Sequence, residues 1–231
     1  MKTGSFFLLA VGALGLILPT NALACGCCSD PGAYTSSMGK PDANSVELLQ
    51  EMKFDKTAAL YMTPGGFDNT KGLSDLEKDF ESESWAASPG EFDLANTFVT
   101  KAWQFNFKTP TGKSGTLTLP MPAQMSQFKV DIHDGRTGGG GGPLLYKEWR
   151  FKGNVTAGTG IFKSSIIQPT AYFLVFQGRG NDCDNAEDFT HWRLEIEGKN
   201  AKYTFFGKMS SGSPAQESEI PVPSGYQDTM P

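Results

Sequence analysis

From Thr97 onward, apolar side chains recur at every second position, and a chain with that period is committed to pleated strands that bury one face. Val99, Trp103, Phe105 and Phe107 share one parity, while Thr100, Gln104, Asn106 and Lys108 share the other. The pattern returns in Leu117 and Leu119 among threonines, and in Phe128, Val130 and Ile132 against Lys129, Asp131 and His133. Leu145, Trp149 and Phe151 alternate with Glu148, Arg150 and Lys152; Trp192, Leu194 and Ile196 oppose His191, Arg193, Glu195 and Glu197. Tyr203 to Phe206 gives a short last strand. Tyr172 to Phe176 is apolar on both parities, which predicts a strand at the centre of a sheet with both faces covered.

Turn chemistry separates these runs: Pro110-Thr111-Gly112, the five glycines Gly138 to Gly142, Gly158 and Gly160, Gly178 and Gly180, and Gly198-Lys199-Asn200. Many short strands joined by polar turns predict a mainly β fold, an antiparallel β-sandwich or jelly-roll-like domain over residues 97–207, with a β-barrel as the alternative. Ahead of it, residues 25–43 read as a Cys-rich irregular arm and residues 44–96 as short helices and loops packing on the main domain. Asn44-Ser45-Val46-Glu47 resembles a helix-capping arrangement, Leu73, Leu76 and Phe80 share one helical face, and Trp85 to Asn96 reads as a loop. Residues 208–231, rich in Ser, Pro and Gly, read as a flexible tail.

The front of the chain supplies an address. Lys2, the apolar run Phe6 to Leu18, Pro19 and Ala22-Leu23-Ala24 together have the order of a secretory signal peptide over residues 1–24, so the mature chain is expected to begin near Cys25 in the periplasm or outside the cell. A lipid anchor on Cys25 is the alternative form of export. Beyond that segment the longest apolar stretch is Ala171 to Phe176, far short of the ~20 residues that span a bilayer, so no transmembrane segment is expected in the mature chain. With a net charge of -5 and no basic patch, the sequence excludes the electrostatic footprint of nucleic-acid binding.

Four cysteines, Cys25, Cys27, Cys28 and Cys183, then face an oxidising compartment, where an even count favours disulfides. Adjacent cysteines pair only through strained geometry, so Cys183 is expected to bridge to the arm, with Cys28 as its partner. A second reading leaves Cys25, Cys27 and Cys28 as soft ligands for copper, helped by His133 and His191, provided that the strands carrying those histidines are antiparallel neighbours. Met121 and Met125 resemble spaced thioether ligands, although core packing is the commoner use of methionine. No Gly-x-Ser-x-Gly elbow or His-Glu-x-x-His helix occurs. Glu148, Glu195 and Glu197 are the candidates for paired acids of a carbohydrate-active enzyme, which needs two carboxyl groups facing one another at roughly 5–10 Å. The leading expectation is an exported, soluble, non-enzymatic β-sandwich that binds a small ligand, a glycan or a cell-envelope protein, with its cysteine arm fastened to the loop Asp182 to Asp188.

Overall fold

The computed structural model describes residues 32–62, 70–73, 90–137 and 142–210. The signal-peptide segment, Cys25, Cys27 and Cys28, the helix expected over 73–82 beyond Leu73, and the tail beyond Ser210 lie outside the described residues.

Eleven antiparallel strands form one sheet: β1 (Tyr34–Gly39), β2 (Phe54–Tyr61), β3 (Gly90–Val99), β4 (Ala102–Lys108), β5 (Ser114–Pro120), β6 (Met125–Val130), β7 (Leu145–Asn154), β8 (Ala157–Gly158), β9 (Thr170–Gly180), β10 (Phe189–Gly198) and β11 (Ala201–Met209). Their order across the sheet is β1-β6-β7-β9-β10-β11-β2-β3-β4-β5-β8. β4 and β9 are five positions apart in that order, about 24 Å on a flat sheet at ~4.8 Å per strand. Yet the Trp103 and Phe176 rings they carry lie 6.2 Å apart, and Phe107 of β4 stacks on Phe205 of β11 at 4.0 Å. The sheet therefore folds over on itself, and its two halves enclose one aromatic core in a sandwich-like arrangement. It is not closed into a barrel: on the side away from β4, β5 pairs only with the two-residue β8, and no ladder joins β5 to β7 among the described residues.

The inward parity is the one the alternation predicts along β4, β5, β7 and β10, where Trp103, Phe105, Phe107, Leu117, Leu119, Trp149, Phe151, Trp192, Leu194 and Ile196 are all buried. Large aromatic side chains that interlock edge-to-face, such as Phe54 on Phe105 at 5.5 Å, supply most of the hydrophobic drive in such a core. β9 is central, as its two-sided apolar run requires: it lies between β7 and β10, and Val175 on its outward parity is fully buried.

Four expectations are corrected. Along β6 the expected parity is reversed: Phe128 shares the outward side with its register partner Glu148, Lys129 pairs with the buried Lys147, and beyond the strand Asp131 is buried while Ile132 is exposed. The arm over 25–43 is not irregular throughout, because Tyr34–Gly39 pairs with β6 from Tyr34↔Val130 to Gly39↔Met125 as an exposed edge strand. Residues 90–96, read as loop, belong to β3, and β2 also joins the same sheet, so the segment 44–96 is built into the sheet as well as packed on it. The run from Thr97 to Lys108 is two strands: Thr100 and Lys101, both at positive φ (53° and 58°), form a two-residue hairpin turn. That turn resets the parity, so Phe98 packs on Trp103 at 4.9 Å while Val99 is exposed. The expected helix after residue 43 is present as α1 (Ala43–Glu51), with Leu48 and Leu49 buried; its cap is Asp42, whose Oδ1 accepts from the Ser45 amide at 2.7 Å. No helix among the described residues is long and apolar enough to cross a membrane.

Candidate ligand-binding face

Strand register sets the outward side chains of β6, β7, β9, β10 and β11 in rows, because directly paired residues project to the same face. Phe128, Glu148, Gln177 and His191 form one row. Arg150, Val175, Arg193 and Phe206 form the next, and Lys152, Phe173 and Glu195 a third. Each charge in these rows has a neighbour that fixes it. Glu148 accepts from the Tyr146 hydroxyl at 2.5 Å and from Arg150 Nε at 2.5 Å, and the Gln177 amide donates to the Tyr146 oxygen at 3.1 Å. Arg150 lies over the Phe128 ring at 5.2 Å, Lys152 over Phe173 at 4.7 Å, and Arg193 pairs with Glu195 at 3.0 Å. Burial, helped by Glu148, pushes the Tyr146 hydroxyl up to about 12, so it stays a donor at neutral pH. The result is a preorganised polar face with aromatic platforms, and no second layer covers it among the described residues.

A buried ionic clasp braces the opposite side of the same strands. Lys147 lies on the apolar parity of β7, with its side chain wholly removed from solvent. Its ammonium donates to the Cys183 carbonyl at 2.5 Å and to Asp188 Oδ2 at 2.7 Å, and stands 3.4 Å from Asp184 Oδ1. Lys129 is its register partner on β6, and two like charges placed opposite one another repel. Asp184 resolves that conflict, because the same Oδ1 lies 3.2 Å from the Lys129 ammonium. Burial pushes the Asp188 carboxyl above the usual range, with Asp184 adding to the push and Lys147 opposing it.

Glycine makes the clasp possible. Gly178 and Gly180, read in the sequence as turn signals, sit inside β9. A Cβ on Gly178 would fall 1.7 Å from the Asp188 carbonyl oxygen, and one on Gly180 would fall 2.1 Å from the Asp188 carboxyl carbon. Their missing side chains are the space into which the loop 182–188 folds.

The two histidines of the sequence-derived metal set are not carried to one another by neighbouring strands in this fold. β6 and β10 are not neighbours, since β7 and β9 lie between them, so the condition that would have brought His133 and His191 together is not met. His133 is exposed at φ 49°, its amide donating to Asp131, and Asp131 is buried rather than on the solvent side. His191 is exposed and shares a hydrogen bond of 2.9 Å with the Thr190 hydroxyl. No group of three or more His, Cys, Asp or Glu residues poised for a metal occurs among the described residues. Cys183 is not a free thiol, and the three cysteines of the arm lie outside the described residues. Met125 is buried and Met121 packs against the core. Glu148 registers with Gln177 and Glu195 with Phe173, which places these acids two strands and four residues apart, roughly 16 Å at standard strand spacings. Sequence reasoning missed Lys147 altogether. Its signal was a lone charge on the buried parity of β7, complementary to the acidic run Asp182 to Asp188.

The fold and its outward polar face define an antiparallel, sandwich-like β protein with a candidate binding surface. No known family profile, characterised protein or solved structure matches the chain.

Proposed function

We propose that this chain is an exported, non-enzymatic β-sandwich protein that binds a ligand or cell-envelope partner through the outward face of β6, β7, β9, β10 and β11. The observation that supports the reading is the set of half-buried polar side chains on that face: Glu148, Gln177, Arg150 and Arg193 are held by neighbours in fixed orientations, with Phe128 and Phe173 interleaved. Side chains ordered in advance lose less entropy on binding, which is the economy of a recognition surface. The leader-like front end is the reason for placing the protein outside the cytoplasm. In this reading the cysteine arm is joined to Cys183 by a disulfide, which ties it to the loop already held by Lys147 and Lys129.

The test is a titration of the purified protein against a glycan panel and solubilised envelope fractions, followed by intrinsic fluorescence and calorimetry. Saturable binding that Arg193→Glu abolishes supports the proposal. Absence of saturable binding across the whole set would remove it.

A further inference from the structure

At one end of the proposed face, the outward side chains of β7 and β9 meet the edge strand β1 and the segment after β5, leaving a cleft of about 410 Å³. Its walls include Arg150, Lys152, Phe173, Ser126, Gln124 and Met38, and no Asp or Glu among the described residues lines it. That is unusual in a chain of net charge -5, and the other clefts described carry Asp93 or Asp55. Lys152 makes no ion pair among the described residues, and its ammonium instead rests over the Phe173 ring. Arg150 reaches the cleft while Glu148 holds it from outside the lining. A cation with no carboxylate partner among the described residues, a second cation fixed beside it, an aromatic ring and two neutral hydrogen-bonding side chains are complementary to a ligand that combines a carboxylate with a hydroxylated ring. The apolar share of the wall, from Phe173, Met38 and Met125, argues against a bare inorganic anion, which would gain nothing from it.

We propose that this cleft binds an acidic sugar, a carboxylate-bearing pyranose of an anionic glycan, with Lys152 and Arg150 meeting the carboxylate and Phe173 supporting the ring. The inference rests on the reading of the outer face as a binding surface and names its ligand class.

The experiment is calorimetric titration of the full chain with trigalacturonate, with neutral galactotriose and with inorganic phosphate. Trigalacturonate is expected to bind saturably, and galactotriose and phosphate not to compete. Lys152→Gln is expected to weaken binding by about tenfold or more, and Lys152→Arg to keep most of it, with circular dichroism of each variant matching the wild type. Equal binding of galactotriose would overturn the acidic-sugar assignment, and equal competition by phosphate would overturn the sugar. Binding indifferent to both Lys152→Gln and Phe173→Ala would overturn the cleft. Failure of trigalacturonate alongside saturable binding of another panel ligand would overturn this inference and leave the wider binding proposal standing.

Discussion

Replacing Lys147 with methionine isolates what the buried clasp contributes. Methionine fills much of the same volume, so the packing beneath the loop changes little and the loss is chiefly electrostatic. In the wild type the ammonium has three partners, the Asp188 carboxylate at 2.7 Å, the Cys183 carbonyl at 2.5 Å and Asp184 at 3.4 Å, and the side chain is fully buried. At an effective dielectric of about 20, the attraction across 2.7 Å is of order 6 kcal/mol, most of which offsets the cost of removing the charges from water. Removing one partner leaves the others stranded, so the substitution is expected to cost about 3–5 kcal/mol at pH 7. At ~2–4 °C per kcal/mol for a chain of this size, the melting temperature should fall by roughly 6–20 °C.

The deficit should also depend on pH with a definite sign. Burial and Asp184 already hold the Asp188 carboxyl above its ordinary value, and without Lys147 the hydrogen bond from the Asn185 amide is the remaining opposing influence. A carboxyl whose folded-state value exceeds its unfolded value favours the folded state when protonated, so stability falls as pH rises through that window and recovers toward pH ~4. Thermal melts of wild type and Lys147→Met from pH 4 to 8 measure this directly, and Lys147→Met/Asp188→Asn should regain more than half of the loss at pH 7. A variant that melts with the wild type at pH 7, or whose deficit is the same at pH 4 and pH 7, would refute the reasoning.

Gly178→Ala should displace the loop 182–188, because its Cβ has no room beside the Asp188 carbonyl, and should cost about 1–3 kcal/mol in a urea titration. Thr100→Asn with Lys101→Gly should stabilise the β3–β4 hairpin by roughly 1–2 kcal/mol, since both native residues sit at positive φ in a turn that favours Asn-Gly; an unchanged urea midpoint would count against that assignment. Asp42→Ala removes the cap of α1 and should lower stability by about 1 kcal/mol. Because the Ser45 hydroxyl and amide hold the Asp42 carboxyl below its ordinary value, that difference should be present at neutral pH and disappear as acid protonates the group. Alkylation and intact-mass analysis under non-reducing conditions should find Cys183 blocked and the mature chain starting near Cys25; a reactive Cys183 would remove the proposed tie between arm and loop.

Much of the sheet was legible because its inner face repeats with period two, and Trp103, Phe105 and Phe107 or Trp192, Leu194 and Ile196 point inward for that reason alone. β1 escaped because an edge strand exposed along its length, with the sequence Tyr34-Thr35-Ser36-Ser37-Met38-Gly39, has no buried parity to read. The β3–β4 turn escaped because Thr100 and Lys101 lack the Asn or Gly that normally marks positive φ. The convergence of the two histidines failed on a different ground. Alternation shows that a strand has two sides, but on β6 the apolar parity faces outward, and the order β6-β7-β9-β10 is a property of long-range pairing that separates His133 from His191. The clasp combined both difficulties: Gly178 and Gly180 resemble turn residues, and only the folded loop shows that their purpose is to admit Asp188.

Val175 offers the most direct probe of the proposed binding face, since it is buried on the outward side of β9 between Arg150 and Arg193. Methyl NMR of the protein saturated with whichever ligand the panel yields should shift the Val175 resonances while those of Leu174 and Leu194, inside the core, stay in place. Unmoved Val175 methyls, with ligand-induced shifts confined to other regions, would contradict the account.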